Sequence, residues 1–336
     1  MISKLYKNNQ SPFWILNRKA NSARLAINNK IKTGEWQLVK RICPLCTQND
    51  QNFEVLSEKN KYGIEQLVVI CKSCGLVFYC NGLDENSTHD FYKNFYIDLC
   101  AGGANTEEIF SYQKHRGYEV FKFLKNKISE PKIILEIGCG TAGISYTLKQ
   151  YYQKAQFYGL DYRSDDIDFA EKNGIKIFEY SLDIYKKLTE IKFDLIIAYH
   201  VVEHFLDLTD ELEKIKSIMH DNTVLFIGVP GVFKTYDYYN YFLESISLDH
   251  NYYFSSDTLN NIMSVQGFEK IYSDENVNAL YKLSTGYERS EFKNVYKGIM
   301  DYILKFEPKT TFMYLMKLKY AQFKLFLKDI VKKWCK

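Results

Sequence analysis

Ile133-Ile134-Leu135-Glu136-Ile137-Gly138-Cys139-Gly140-Thr141-Ala142-Gly143 is the stretch on which the fold turns. An apolar run broken only by Glu136 has the length and composition of a buried strand, and it passes directly into a glycine turn with a helical stretch behind it. Gly138 and Gly140 let the backbone come close to a ligand, while Gly143 permits tight helix–strand packing. Taken alone, a GxGxxG pattern of this kind also serves dinucleotides, so the chemistry must come from what surrounds it.

Downstream, apolar runs at 156–160, 176–178, 193–199 and 223–229 alternate with helical stretches. That alternation predicts parallel strands joined by helices, an α/β doubly wound sheet. A helix over 256–265 ends at Gly267, and two further strands, 269–273 and 280–283, are expected to close a seven-stranded sheet as an antiparallel hairpin. The second of these runs reads Phe157-Tyr158-Gly159-Leu160-Asp161-Tyr162, which sets a carboxylate at a strand end about 20 residues beyond the glycine turn. Such a carboxylate can accept both hydroxyls of a ribose, a feature that nicotinamide enzymes share.

Four segments in order separate the alternatives. The loop EIGCGTAG, Asp161 after the second strand, Asp183 in Ser181-Leu182-Asp183-Ile184 after the third, and FDLIIAYHVVEH over 193–204 resemble the successive motifs of class I S-adenosylmethionine-dependent methyltransferases. Val229-Pro230-Gly231 after the fifth strand is similar to the same pattern. The resemblance covers about residues 130 to 285 and implies a Rossmann-like domain binding S-adenosylmethionine. It implies that Glu136, Gly138, Cys139, Gly140 and Gly143 cradle the methionine part and that Asp161 with Tyr162 holds the ribose. Asp183 and Ile184 then flank the adenine, and His200 borders the methyl group.

Ahead of this domain, Cys43-Pro44-Leu45-Cys46 and Cys71-Lys72-Ser73-Cys74 form two CxxC knuckles 24 residues apart. Two knuckles give the tetrahedral sulfur set that zinc favours, and a closed set of four thiolates leaves no position for substrate, so a structural zinc ion (Zn2+) is expected. Iron in a rubredoxin-like setting is the minor alternative. The expected organisation is an amphipathic helix and arm over 1–40, with Ser11-Pro12 starting the helix and Gly34 ending it, a zinc module over 41–80 and a linker over 81–106. The methyltransferase domain follows over 107–285, and a basic extension over 286–336.

A zinc module, a linker and a methyltransferase domain in this order resemble the bacterial deoxysugar C-methyltransferases, whose YxEHxxYFS stretch supplies catalytic residues. Here the stretch is Ser247-Leu248-Asp249-His250-Asn251-Tyr252-Tyr253-Phe254-Ser255. It keeps the histidine and the YFS, but Ser247 stands for the tyrosine and Asp249 for the glutamate. Those departures favour O-methylation over C-methylation, with a sugar, glycan precursor or related small molecule as acceptor. The sulfonium methyl is already electrophilic, so the protein has to align a nucleophile and remove its proton. His250 is the first candidate for that base, with Asp249 orienting it or acting beside it and His200 as the other candidate. Glu203 and His204 are expected to serve the start of the next helix, and Tyr252 and Tyr253 either to line the acceptor pocket or to pack in the core.

The net charge of +3 is unevenly spread: residues 1–41 carry +8, residues 309–336 carry +7, and the rest carries −12. Met316, Tyr320, Phe323, Leu327, Ile330 and Trp334, with lysines on neighbouring faces, have the spacing of a basic amphipathic helix suited to an anionic membrane surface, or to packing on its own domain. No apolar run reaches the ~18 to 20 residues of a membrane span, and residues 1–10 lack the apolar core of a secretory signal, so a cytoplasmic location, peripheral at the membrane at most, is expected. An N-terminal four-cysteine module also resembles one group of rRNA guanine methyltransferases. The acidic middle and the absence of a dense basic run between 41 and 80 argue against a nucleic-acid partner. A cofactor-binding protein without turnover is the third alternative.

Overall fold

The computed structural model describes residues 2–161, 167–181, 183–286, 292–307 and 316. Its first helix, α1 (Arg18–Thr33), begins well after the expected Pro12, because the Asn17 side chain caps it by accepting from the Ala20 N–H at 2.9 Å. Residues 11–17 are not helical; the Phe13 N–H donates to the Lys61 carbonyl at 2.8 Å, and its ring is buried beside Tyr241. Gly34, left-handed at φ 74°, ends α1 as expected.

Short strands follow: β1 (Leu38–Lys40), β2 (Phe53–Lys59), β3 (Glu65–Cys71), β4 (Val77–Tyr79) and β5 (Asn81–Leu83). β2, β3 and β4 pair antiparallel in sequence, and β5 pairs with β1. The expected linker over 81–106 is ordered instead. It holds β5 and the helices α2 (Glu85–Asn94) and α3 (Tyr96–Leu99). Its apolar residues are the reason: Phe91 and Leu99 are buried in one cluster with Trp36, whose indole N–H donates to Asp90 at 2.8 Å. Helix α4 (Thr106–Leu124) starts at a capping box of Asn105 and Glu108.

The larger sheet is built from β6 (Ile133–Ile137), α5 (Gly143–Tyr151), β7 (Gln156–Asp161), α6 (Ile167–Lys172), β8 (Lys176–Glu179), α7 (Ile184–Leu188), β9 (Leu195–Tyr199), α8 (Leu208–Ser217) and β10 (Val224–Gly228). Two short helices, α9 (Thr235–Tyr238) and α10 (Phe242–Ser245), lead to β11 (Tyr252–Tyr253), α11 (Ser256–Val265), β12 (Phe268–Ser273) and β13 (Asn278–Leu283). The order is β12-β13-β10-β9-β6-β7-β8, parallel from β10 to β8, with β13 antiparallel to β10 and to β12. This is the doubly wound seven-stranded sheet expected. Strand order reverses direction at β6, between β7 and β9, and such a switch point opens a crevice at the carboxyl ends of the strands.

The cysteine module is not a separate bead. β11 adds to the edge of β4, pairing Tyr252 with Phe78 and Tyr253 with Val77, so a strand following β10 completes the module's own sheet. Leu76 and Phe78 share one buried apolar cluster with Ile137, Ala198 and Ile227 of the large sheet. Burying a side chain such as Phe78 contributes roughly 1.5 to 3 kcal/mol, so every such residue ties module and domain into one cooperative unit. Residues 296–307 are helical, and Ile299 and Ile303 bury beside Tyr6, Val77 and Tyr253. The basic amphipathic helix expected near the C-terminus lies outside the described residues apart from Met316, which is exposed. Among the described residues no helix is long and apolar enough to cross a membrane.

Candidate functional site

The glycine loop sits at the switch point, with Gly138 and Gly140 at φ 64° and 51° and Ala142 at 58°. Left-handed backbone is cheap for glycine only. A Cβ on Gly138 would also lie 2.5 Å from Val201 Cγ2, the residue following His200. Asp161, at the end of β7, accepts the Gly140 N–H at 2.7 Å, so the expected ribose carboxylate also fastens the loop. Gln113 of α4 was not singled out as functional from the sequence, yet its Oε1 accepts from the Thr141 hydroxyl at 2.5 Å and from the Gly143 N–H at 3.1 Å. Gly143 serves helix–helix rather than helix–strand packing. Its missing side chain would meet Gln113 Cβ at 2.6 Å and the Phe110 carbonyl oxygen at 2.7 Å, both on α4.

Two other residues of the loop point away from the crevice. Cys139 is fully buried, with its sulfur against Gly159. Glu136 is 1% exposed and accepts from the Ser145 N–H at 3.0 Å and from its hydroxyl. Burial pushes Glu136 up to about 8, against the opposing pull of Ser145. Asp183 is on the surface, paired with Lys186 at 2.7 Å, and Ile184 is buried in the core below. Tyr162 lies outside the described residues.

Beyond β9 the structure brings together two short segments 45 positions apart, His200, Glu203 and His204 from one and Asp249 and His250 from the other. His200 has a left-handed backbone, φ 56°, its N–H donating to the Gly228 carbonyl at 2.7 Å. Its Nδ1 lies 3.0 Å from Glu203 Oε1 and, facing a carboxylate, carries the proton, leaving Nε2 with a lone pair. The His200 side chain is 31% exposed, whereas Glu203 is buried. His204 Nδ1 stands 2.8 Å from the Asp249 carbonyl oxygen and 3.2 Å from the Tyr92 hydroxyl, and its ring lies 4.9 Å, centre to centre, from that of His250. Glu203 and His204, expected at the start of the next helix, lie ahead of α8 instead. They occupy a short turn of 3-10 helix, and both point into this cluster.

The charges are tightly balanced. Burial raises Glu203, but His204, His200 and His250 outweigh it and bring the carboxyl down to about 2. Burial likewise raises Asp249, and His250 and His204 overrule it, holding that group well below the ordinary carboxylate range. Burial pushes His250 down to about 4 despite Asp249, and it lowers His200 despite Glu203. Tyr252 and Tyr253 are core residues, 4% and 6% exposed.

The cysteine module supports this cluster directly. Arg41 donates from Nη1 to Asn251 Oδ1 at 2.6 Å and from Nη2 to the Leu83 carbonyl at 3.0 Å. Asn251 in turn donates its side-chain N–H to the His204 carbonyl at 2.9 Å and its backbone N–H to the Glu203 carbonyl at 2.7 Å. Gln66 of β3 donates to the carbonyls of Ser247 and His250 at 3.0 and 3.3 Å. None of these bonds is a motif in sequence, since each joins residues at least 42 positions apart or depends on β11 docking.

The four cysteine sulfurs converge, with Cys43 to Cys74 at 3.5 Å, Cys46 to Cys71 at 3.4 Å and Cys46 to Cys74 at 3.8 Å. A tetrahedron with metal–sulfur bonds of ~2.3 Å has sulfur–sulfur edges of about 3.8 Å, so the donor set fits one zinc-sized ion. Each knuckle turns on a left-handed residue after its second cysteine, Thr47 at φ 56° and Gly75 at φ 86°. Four thiolates this close repel one another strongly unless a cation lies between them.

The family comparison agrees with the fold. Residues 111–273 match the family model described as a methyltransferase domain. The protein named "Probable (S)-tetrahydroprotoberberine N-methyltransferase 2" of Papaver bracteatum is 26% identical over 131 residues, 38% of this chain and 36% of its own. (S)-Coclaurine N-methyltransferase of Papaver somniferum is 26% identical over 108 residues, 30% of either chain. The chain thus spans about a third of the length of these curated relatives. Among solved structures, human N-acetylserotonin methyltransferase in complex with S-adenosylmethionine aligns with a TM-score of 0.42 at 12% identity, over 60% of this chain and 66% of that one.

Proposed function

We propose that this chain is an S-adenosylmethionine-dependent methyltransferase that methylates an oxygen of a sugar, glycan precursor or related small molecule, with His200 as the base. The reading rests above all on one juxtaposition. His200 directly follows β9, the strand paired with β6, whose glycine loop is fastened to Asp161, so the expected cofactor crevice and a partly exposed imidazole adjoin. With Nδ1 engaged by Glu203, His200 Nε2 is the nitrogen available to take the hydroxyl proton as the acceptor oxygen attacks the methyl and S-adenosylhomocysteine leaves. His250 and Asp249 lie deeper, and their part is to wall the acceptor side. Four thiolates holding one zinc ion keep the module rigid beneath them.

The test is turnover of methyl-labelled S-adenosylmethionine with a panel of nucleotide sugars, free sugars and phenols, followed by mass spectrometry of the products. His200→Ala is expected to lower turnover roughly 10²- to 10⁴-fold with cofactor affinity little changed. A folded His200→Ala variant with normal turnover refutes the assignment and returns the base to His250. The poppy relatives favour a second reading, an amine acceptor. Amines in the same panel decide between oxygen and nitrogen.

A further inference from the structure

We propose that Glu203, His204 and His250 form a second metal site, for a first-row divalent cation such as Mn2+ or Zn2+, separate from the four cysteines. One donor atom from each of the three residues lies within 4.8 Å of the others. His204 is turned into a ligand by its partners. Because Nδ1 faces the Asp249 carbonyl, which only accepts, the proton sits on Nδ1 and the lone pair on Nε2. Donation of the far ring N–H to a backbone carbonyl is the arrangement that orients metal-bound histidines.

That lone pair points at another acceptor. His204 Nε2 stands 3.8 Å from Glu203 Oε1, too far for a hydrogen bond but near the separation of two ligands on one ion. The second carboxylate oxygen, Glu203 Oε2, is buried with no hydrogen-bond partner, on a side chain 1% exposed. An orphaned buried carboxylate oxygen is costly, and a cation removes the cost. Two imidazoles and one carboxylate suit manganese, iron, cobalt or zinc rather than calcium or magnesium. An ion with bonds of ~2.1 Å spans at most about 4.2 Å between opposite ligands, so a small rotation of the partly buried His250 ring completes the set.

Resting on the methyltransferase reading above, the site would fix the acceptor. A hydroxyl oxygen on the cation is oriented and acidified, its proton passes to His200, the oxygen–methyl bond forms and the sulfur–methyl bond breaks. Glu203 would then serve both, holding His200 through one oxygen and the cation through its carboxylate.

The experiment uses the full chain with its cysteine site left loaded. Mn2+ is titrated in and followed by the loss of its free six-line electron paramagnetic resonance signal. Mn2+ does not compete for four thiolates, so the expected result is one bound Mn2+ per chain, weakened at least tenfold in Glu203→Gln and in His250→Gln. Should Glu203→Gln fail to fold, His250→Gln decides alone. Absence of bound Mn2+ together with no Zn2+ beyond one per chain overturns the proposal, as does binding that neither variant affects. Calorimetric titration with S-adenosylmethionine separates the two ideas: cofactor binding without a second metal refutes only the site, and no cofactor binding refutes the methyltransferase reading.

Discussion

Gly143→Ala tests whether the cofactor loop is set by helix packing. A Cβ there would lie 2.6 Å from Gln113 Cβ, 2.7 Å from the Phe110 carbonyl oxygen and 3.0 Å from the Lys114 N. Carbon contacts are comfortable at about 3.5 to 4.0 Å, and two of the three obstacles are backbone, so α4 has to retreat by roughly 1 Å. Overpacking of this kind costs about 1 to 3 kcal/mol. At the first residue of α5, alanine gains little helix propensity to offset it. At about 2 to 4 °C per kcal/mol for a domain of this size, the melting temperature falls by roughly 2 to 12 °C. Gln113 rides on α4, so its bonds to Thr141 and to the Gly143 N–H are strained or lost, each contributing about 0.5 to 1.5 kcal/mol. S-adenosylmethionine binding should therefore weaken by about tenfold in calorimetry. Gln113→Ala is the control, removing the pin without the overlap, and is expected to weaken binding with a much smaller change in melting. A Gly143→Ala protein that melts and binds like the parent refutes the reasoning.

Asp161→Ala should weaken S-adenosylmethionine binding by roughly 2 to 4 kcal/mol, since it would lose the proposed ribose bonds together with the Gly140 contact; unchanged calorimetric affinity removes Asp161 from the site. Cys71→Ser should abolish zinc content in elemental analysis, and hydrogen exchange should quicken not only over 42–80 but also over 247–255, because β11 is built on β4. Protection of 247–255 that stays as in the parent would show the module and the loop to be uncoupled. Glu136, pushed up to about 8 in the folded chain, retains a proton that the unfolded chain releases near its ordinary value of about 4.3. Its contribution to stability is therefore complete below about pH 4.3 and declines as pH rises to about 8, by up to ~1.4 kcal/mol per unit. Melting of Glu136→Gln across this range should slope less steeply than the parent, and an equal slope would show that Glu136 is ionised throughout.

Local chemistry was legible in the sequence because local chemistry carried it. Apolar runs with glycine turns located all seven strands of the large sheet to within two residues, and CxxC spacing picked out the four sulfurs that converge. Tertiary structure decided what depends on docking. Residues 81–106 have the polar and aromatic composition of a linker, yet Phe91 and Leu99 find an apolar partner in Trp36, which no local pattern records. Pro12 looked like a helix start because proline tolerates that place; the pull of Lys61 on Phe13 kept the chain out of a helix until Asn17. His200 and His250 were both visible as candidates, but their roles were not, because a histidine's chemistry follows from which ring nitrogen its neighbours occupy. Glu203 engages one of His200's nitrogens locally, but Asp249 reaches the ring of His204 only once β11 has closed onto β4 and carried residues 247–251 back to the end of β9.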